Sequence, residues 1–215
     1  MKNIMIDIET MGSEESAAIL SIGAIIFNNQ EPIVVDTNEC IEHKIRDGEV
    51  VYETATNKPY FYGKASLENN LNRGRTVSAS TIEWWLQQDK KAIDEILQYK
   101  DASIKNLIND FHYWVLLNIK GDTKIWANGV NFDIKILENA FKQFNLSIPW
   151  GYGQICCMRS LRALEKHVPH FVQIKKWHEY KEEMGDSAHN ALEDALTQAK
   201  YVQNIMMLLN GIRKI

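Results

Sequence analysis

Cysteine is scarce in this 215-residue chain: there are three, two of them adjacent at Cys156-Cys157. They build neither a disulfide framework nor a zinc-ligand spacing, so a reducing cytosol is the simple setting. No apolar run approaches the ~20 residues needed to span a bilayer. No signal-peptide pattern precedes the first apolar segment, which starts almost at Met1. A cytoplasmic protein with no membrane partner is the expectation. Positive charge is not in excess either: 24 Lys and Arg against 28 Asp and Glu leave a net charge of −4. That excludes a broad basic surface, so any contact with a polyanion must be local. Repeats, low-complexity tracts and linkers are also missing. With 45% hydrophobic residues over 215 positions, one domain spanning 1–215 with a substantial core is expected.

What the chain does have is a set of acids in unusual places. Asp7 and Glu9 lie in Met5-Ile6-Asp7-Ile8-Glu9-Thr10, inside an apolar segment that reads as a strand. Side chains at i and i+2 of a strand share a face, so both carboxylates point the same way, with Ile6 and Ile8 opposite. Buried carboxylates need partners. Asp133 follows in Asn131-Phe132-Asp133, at the start of a helical stretch, where an Asp also suits the helix N-terminus. His189 and Asp194 lie in His189-Asn190-Ala191-Leu192-Glu193-Asp194, at the start of a long amphipathic helix. Taken alone, Asp-x-Glu is a strand end, Asp133 a helix start, His189 an ordinary surface or core histidine and Asp194 a solvated helix acid. Together, four carboxylates and a histidine suit a nuclease using two divalent metals. Paired metals roughly 3.5–4 Å apart can activate a water and stabilise the departing oxygen of a phosphodiester. Hard ions such as Mg2+ or Mn2+ select oxygen ligands of this kind.

The pattern of elements places these motifs. Strands are expected at 4–8, at 19–27 and within 33–45, followed by an irregular stretch over 47–79 with a turn at Asn57-Lys58-Pro59-Tyr60. A helix begins at Ser80, whose Ser-x-x-Glu spacing to Glu83 fits a capping box. Further helices are expected near 92–98, 103–117, 133–144 and 188–209. A short strand at 124–127 leads to Asp133, and 145–186 is mixed. Strands first, then helices and strands in alternation, fit an α/β fold with a mixed central sheet flanked by helices.

These motifs resemble those of the DnaQ-like 3′→5′ exonucleases of the DEDDh type. Their three exonuclease motifs are matched by Asp7-x-Glu9-Thr10, by Phe132-Asp133 and by His189-x4-Asp194. Ile6-Asp7-Ile8-Glu9-Thr10-Met11-Gly12 and Ser80-Thr81-Ile82-Glu83-Trp84-Trp85 resemble the phage exonuclease A and exodeoxyribonuclease VIII-like group, which also contains bacterial exoribonucleases. One departure stands out. Many relatives carry a His-Asn pair before the second motif, where this chain has Trp126-Ala127-Asn128-Gly129-Val130-Asn131; no metal ligand is lost by it. The resemblance implies a ribonuclease H-like fold, and hydrolysis of single-stranded DNA or RNA from a 3′ end to nucleoside 5′-monophosphates. It also implies that Asp7 bridges two metal ions, Glu9 and Asp194 complete the first site, Asp133 helps hold the second, and His189 is the general base. Substrate class and oligomeric state stay open, a homodimer included. The rivals are an RNA-specific exoribonuclease or oligoribonuclease, and a catalytically idle nuclease fold used as a binding module.

Substrate contacts are sought next to the motifs. Thr10 and Met11 follow the first acid pair, with Met11 placed to wedge under a terminal base. Asn131 and Phe132 precede Asp133. Trp84 and Trp85 are candidates for stacking; on a helix Ile82, Trp85 and Leu86 share a core-like face, and Trp84 lies with Thr81 and Gln88. Arg159, Arg162, Lys166, Lys175 and Lys176, with His167, His170 and His178 among them, form a basic stretch before the last motif that would attract a polyanion. Arg73 and Arg75 form a second, weaker patch. For the first stretch, an ordinary solvated charged surface is the rival reading.

Overall fold

Asn3–Thr10 (β1) forms the centre around which the chain is arranged. Its isoleucines Ile4, Ile6 and Ile8 enter one apolar cluster, while Met5 enters another on the opposite face. Asp7 and Glu9 therefore point to the Met5 side, as period-2 alternation requires. The computed structural model describes residues 2–35, 42–46, 49–53, 58–97, 102–167, 175–184 and 189–211.

Ile19–Phe27 (β2) pairs antiparallel with β1, setting Asp7 opposite Gly23 and Glu9 opposite Ser21. Glu42–Arg46 (β3), Glu49–Glu53 (β4) and Tyr60–Lys64 (β5) extend the sheet beyond β2, all antiparallel. On the other side Lys124–Ala127 (β6) and Ile155–Cys157 (β7) add in parallel. The sheet order is β3-β4-β5-β2-β1-β6-β7.

The helices are Leu67–Asn72 (α1), Ala79–Trp85 (α2), Lys90–Leu97 (α3), Ile104–Asn118 (α4), Asp133–Gln143 (α5), Met158–Ala163 (α6), Trp177–Met184 (α7) and Ala191–Leu209 (α8). Leu107, Phe111, Trp114, Leu137 and Phe141, from α4 and α5, cover the isoleucine face of β1. Leu192, Ala195, Ala199, Val202 and Ile205 of α8 cover the other. Each fully buried large side chain contributes roughly 1.5–3 kcal/mol against its exposed state, so α8 is held by its apolar stripe rather than by propensity. The helix packs very close to β2. A Cβ built on Gly23 would fall inside the main chain of Ala191 and Leu192. No helix among the described residues is long and apolar enough to cross a membrane.

Several expectations change in detail. The stretch 47–79 is not irregular: it holds β4, β5 and α1. Tyr60–Lys64 is buried at all five positions, Lys64 included, so it shows no polar-apolar alternation. Helix α1 carries three Asn in six residues, poor helix formers, and is fixed from outside. Ser66 caps its first turn, and the side chain of buried Asn70 accepts from the Ile19 N–H and donates to the Ile19 carbonyl. Residues 33–35 are not strand; β3 starts at Glu42. The cap of α2 is Ser78, whose hydroxyl accepts from the Thr81 N–H at 3.2 Å, not Ser80. The helix ends at Trp85 and the expected core face breaks: Trp85 is buried, but Ile82 is 38% exposed and Leu86, past the end, 73%. Residues 36–41, Asn57, Gln98, His170 and Ala188, named in those expectations, lie outside the described residues.

Candidate active site

Each acid reaches the site for a local reason. Asp7 and Glu9 come from the α8-facing side of β1. The pairing of β1 with β2 shifts register after Glu9, and the freed Thr10 carbonyl accepts the indole N–H of Trp85 at 3.0 Å. Asp133 opens α5 directly after the turn that follows β6. One of its carboxylate oxygens accepts the Gly129 N–H at 3.3 Å. Asp194 lies in the first turn of α8 and accepts the backbone N–H of His189 at 3.2 Å. His189 itself has φ 71°, a left-handed conformation uncommon for a side chain of its size. The turn is held by Asn190. Its Oδ1 caps the Leu192 and Glu193 N–H groups, and its Nδ2 donates to Tyr62 Oη at 2.9 Å and Glu95 at 3.2 Å. Buried Lys64 pairs with the same Glu95.

The five residues line one cleft of about 270 Å3, with Ile8, Asn128, Gly129, Phe132, Arg159, Trp177, Lys181 and Gln198. Ligating atoms of Glu9, His189 and Asp194 all lie within 4.8 Å of one another. The electrostatics are severe. Burial, then the charges of Asp194, Asp133 and Glu9, hold the Asp7 carboxyl well above the usual range. Burial, Asp194 and Asp133 do the same to Glu9. Burial pushes Asp133 up to about 7, against its backbone donors and Arg159. Burial likewise pushes Asp194 up to about 6, although the His189 N–H and Lys181 favour its charge. Burial and Lys181 lower the His189 imidazole below its ordinary value. A crowd of buried oxygens whose proton affinities stay raised despite Arg159 and Lys181 fits a hard divalent cation.

The flanking candidates separate. Phe132 lines the cleft, whereas Asn131 is exposed and is not among its lining residues. Trp84 is 41% exposed, and its ring meets His189 edge-on at 4.9 Å. Trp85 is 3% exposed and lies 5.8 Å from the same imidazole. It braces the histidine and the end of β1 from beneath. Met11, 5% exposed, packs with Leu20, Trp85 and Ile96 in a core cluster. Thr10 turns its hydroxyl to the Gly12 carbonyl at 2.7 Å. Arg75 is no surface patch. It is 3% exposed and donates to the Ala17 and Glu15 carbonyls and to Gln143 and Asn139, because the loop after β1 must be tied to α5.

One residue of the cleft escaped the sequence reading. Gln198 is 3% exposed and donates from Nε2 to Asp7 Oδ1 at 2.7 Å, leaving its own Oε1 buried without a partner. The signal was present: Gln198 stands four residues after Asp194, on the same face of α8.

The model of a family described as the 3′-5′ exoribonuclease Rv2179c-like domain matches residues 2–206. The chain belongs to this family. Its place among the DnaQ-like 3′→5′ exonucleases follows. A curated relative, an exodeoxyribonuclease of Enterobacteria phage T4, is 27% identical over 140 residues, 64% of this chain. The match spans about half, 54%, of that relative's length. Among solved structures, the nuclease domain of 3′hExo, a DEDDh family member bound to rAMP, superposes with a TM-score of 0.55 at 15% identity, covering 98% of this chain and 93% of that one. That likeness shows a shared ribonuclease H-like fold.

Proposed function

We propose that this chain is a divalent-metal-dependent 3′→5′ exonuclease that shortens single-stranded nucleic acid and releases nucleoside 5′-monophosphates. The observation that carries this reading is the convergence of Asp7, Glu9, Asp133, Asp194 and His189 on one cleft from β1, α5 and α8. Asp7, Glu9 and Asp194 would hold one Mg2+ or Mn2+, and Asp7 with Asp133 a second. When bound, the ions would neutralise the carboxylates and supply the charge stabilisation that in-line phosphoryl displacement needs. The chain's own groups do the rest. His189, kept neutral by its lowered proton affinity, accepts a proton from the attacking water. The water oxygen bonds to phosphorus as the P–O3′ bond breaks, and the departing 3′-oxyanion takes a proton from solvent, so that the shortened strand ends in a 3′-hydroxyl. Gln198 fixes the orientation of Asp7, and the Trp84–Trp85 pair holds the imidazole at the rim.

Both DNA and RNA are proposed substrates. RNA is favoured by the family's description and by rAMP in the structural neighbour, DNA by the phage relative. A catalytically idle binding module would not need all four acids brought together under such repulsion. The test is digestion of 5′-labelled single-stranded RNA and DNA side by side, with and without Mg2+. A ladder shortening from the 3′ end, with mononucleotide products, is expected. Rapid nicking of a closed single-stranded circle, or cleavage indifferent to chelator, would overturn the reading.

A further inference from the structure

A second cleft of about 480 Å3 opens beside the catalytic one and shares two walls with it, Arg159 and Trp177. Its remaining lining is Arg162, Ala163, Glu165 and His178. The volume falls within the roughly 300–1,000 Å3 usual for ligand clefts. Arg159 and Arg162 are three residues apart on α6, so they project from one face, with Cβ atoms roughly 5–6 Å apart. Arg159 lies over Gly129, where any Cβ would press on its guanidinium, and its charge is felt by Asp133. It therefore stands at the junction of the two clefts. Arg162 lies 5.8 Å from the ring centre of Trp177. The indole is itself steadied edge-on by Tyr201, 5.4 Å away. The acid in this cleft is occupied: Glu165 accepts the Tyr201 hydroxyl at 2.9 Å and faces Lys176 at 3.5 Å.

We propose that this adjoining cleft is a second nucleotide subsite, holding the residue upstream of the one being released. Resting on the exonuclease reading, it gives that site a minimum substrate length. Arg159 takes the phosphate at the junction, Arg162 takes the next, and Trp177 offers a ring for the intervening base. Arginine suits this role because its fork pairs with phosphate oxygens, and stacking on an indole accepts any base. The arrangement also resolves an electrostatic difficulty. A chain of net charge −4 has no broad basic surface to draw in a polyanion, and the second cleft supplies local attraction one nucleotide from the reaction centre.

The test is fluorescence anisotropy with 5′-fluorescein hexathymidylate and hexauridylate carrying hydrolysis-resistant phosphorothioate linkages. Unlabelled 5′-AMP and 5′-TMP, titrated calorimetrically, report the catalytic cleft alone. Arg162→Ala and Arg162→Glu should weaken hexanucleotide binding by about tenfold or more, the loss of one charge-assisted contact. They should leave the mononucleotide affinities unchanged. The slope of log affinity against log salt should fall by about 0.7 in Arg162→Ala. Arg162→Lys should restore part of the affinity, and unchanged melting temperatures should show that the variants fold. Wild-type affinity should rise from mononucleotide to hexanucleotide. Hexanucleotide binding unaffected by Arg162→Glu, equal losses for mono- and hexanucleotide, or no gain with length would each overturn the subsite while the exonuclease reading stands. Failure of the wild-type chain to bind any nucleotide would remove both.

Discussion

Repulsion among the carboxylates makes metal-free stability depend on pH in an unusual direction. Asp133 is 4% exposed and keeps its proton to about pH 7, where an ordinary carboxyl loses it near 4. Between those values the folded state binds more protons than the unfolded chain, so stability falls as pH rises. The same holds for Asp194, up to about 6, and for Asp7 and Glu9, whose carboxyls are also raised. At pH 8 a group displaced as far as Asp133 opposes folding by an upper bound of ~4 kcal/mol. Asp133→Asn removes that charge but weakens the bond from the Gly129 N–H, so a net gain of ~2 kcal/mol is expected. For a chain of this size that is a rise of roughly 4–8 °C in melting temperature. His189 acts in the opposite sense. Its lowered proton affinity adds stability as pH rises towards its ordinary value, but the residue is only partly buried and its share is smaller. The assay is thermal unfolding in chelator across pH 5–8. The wild type should melt lower at pH 8 than at pH 5, Asp133→Asn should show a shallower trend, and saturating Mn2+ should raise and flatten the wild-type curve. A wild-type melting temperature that is flat or rises with pH in chelator would refute the account of the site as a frustrated acid cluster.

Other outcomes follow from the same geometry. Asp7→Ala or Asp194→Ala should abolish Mg2+-dependent cleavage while far-UV circular dichroism stays native; near wild-type rates would remove them as ligands. His189→Ala should slow single-turnover cleavage by about 10²–10⁴-fold, the usual loss for a general base. Calorimetric Mn2+ binding should persist there, whereas it should collapse in Asp7→Ala. Asn190→Ala should lower the melting temperature by roughly 2–4 °C, the cost of a lost helix cap of ~1 kcal/mol. It should also slow cleavage, because the His189 turn loses its ties to Tyr62 and Glu95. A 3′-phosphorothioate or 3′-blocked strand should resist digestion, and a 5′ block should make no difference to the gel ladder.

The acids were legible because their chemistry is written into short local patterns: period-2 spacing placed Asp7 and Glu9 on one face, and a helix start placed Asp133. Strand β6 was legible to the residue, since Lys124–Ala127 carries Ile125, Trp126 and Ala127 directly before a turn. What the sequence concealed was long-range. Strand β5 is buried on both faces, and helix α1 depends on Asn70 reaching the backbone of Ile19, 51 positions away. The role of Arg75 misled for a related reason. An arginine near another arginine looks available in sequence, and only packing shows that Arg75 is already committed.

Gly23 bears on how the site holds its dimensions. Most helices ride on a sheet over a cushion of side chains, and substitutions in that cushion let the helix drift by fractions of an ångström. At this point on α8 there is no cushion: the main chain of Ala191 rests against the main chain of β2, across from Asp7. The gap between the β1 acids and Asp194 is thus gauged by atomic radii, not by which hydrophobic residues fill the core. A single methyl group at position 23 would lift the start of α8 and change its span.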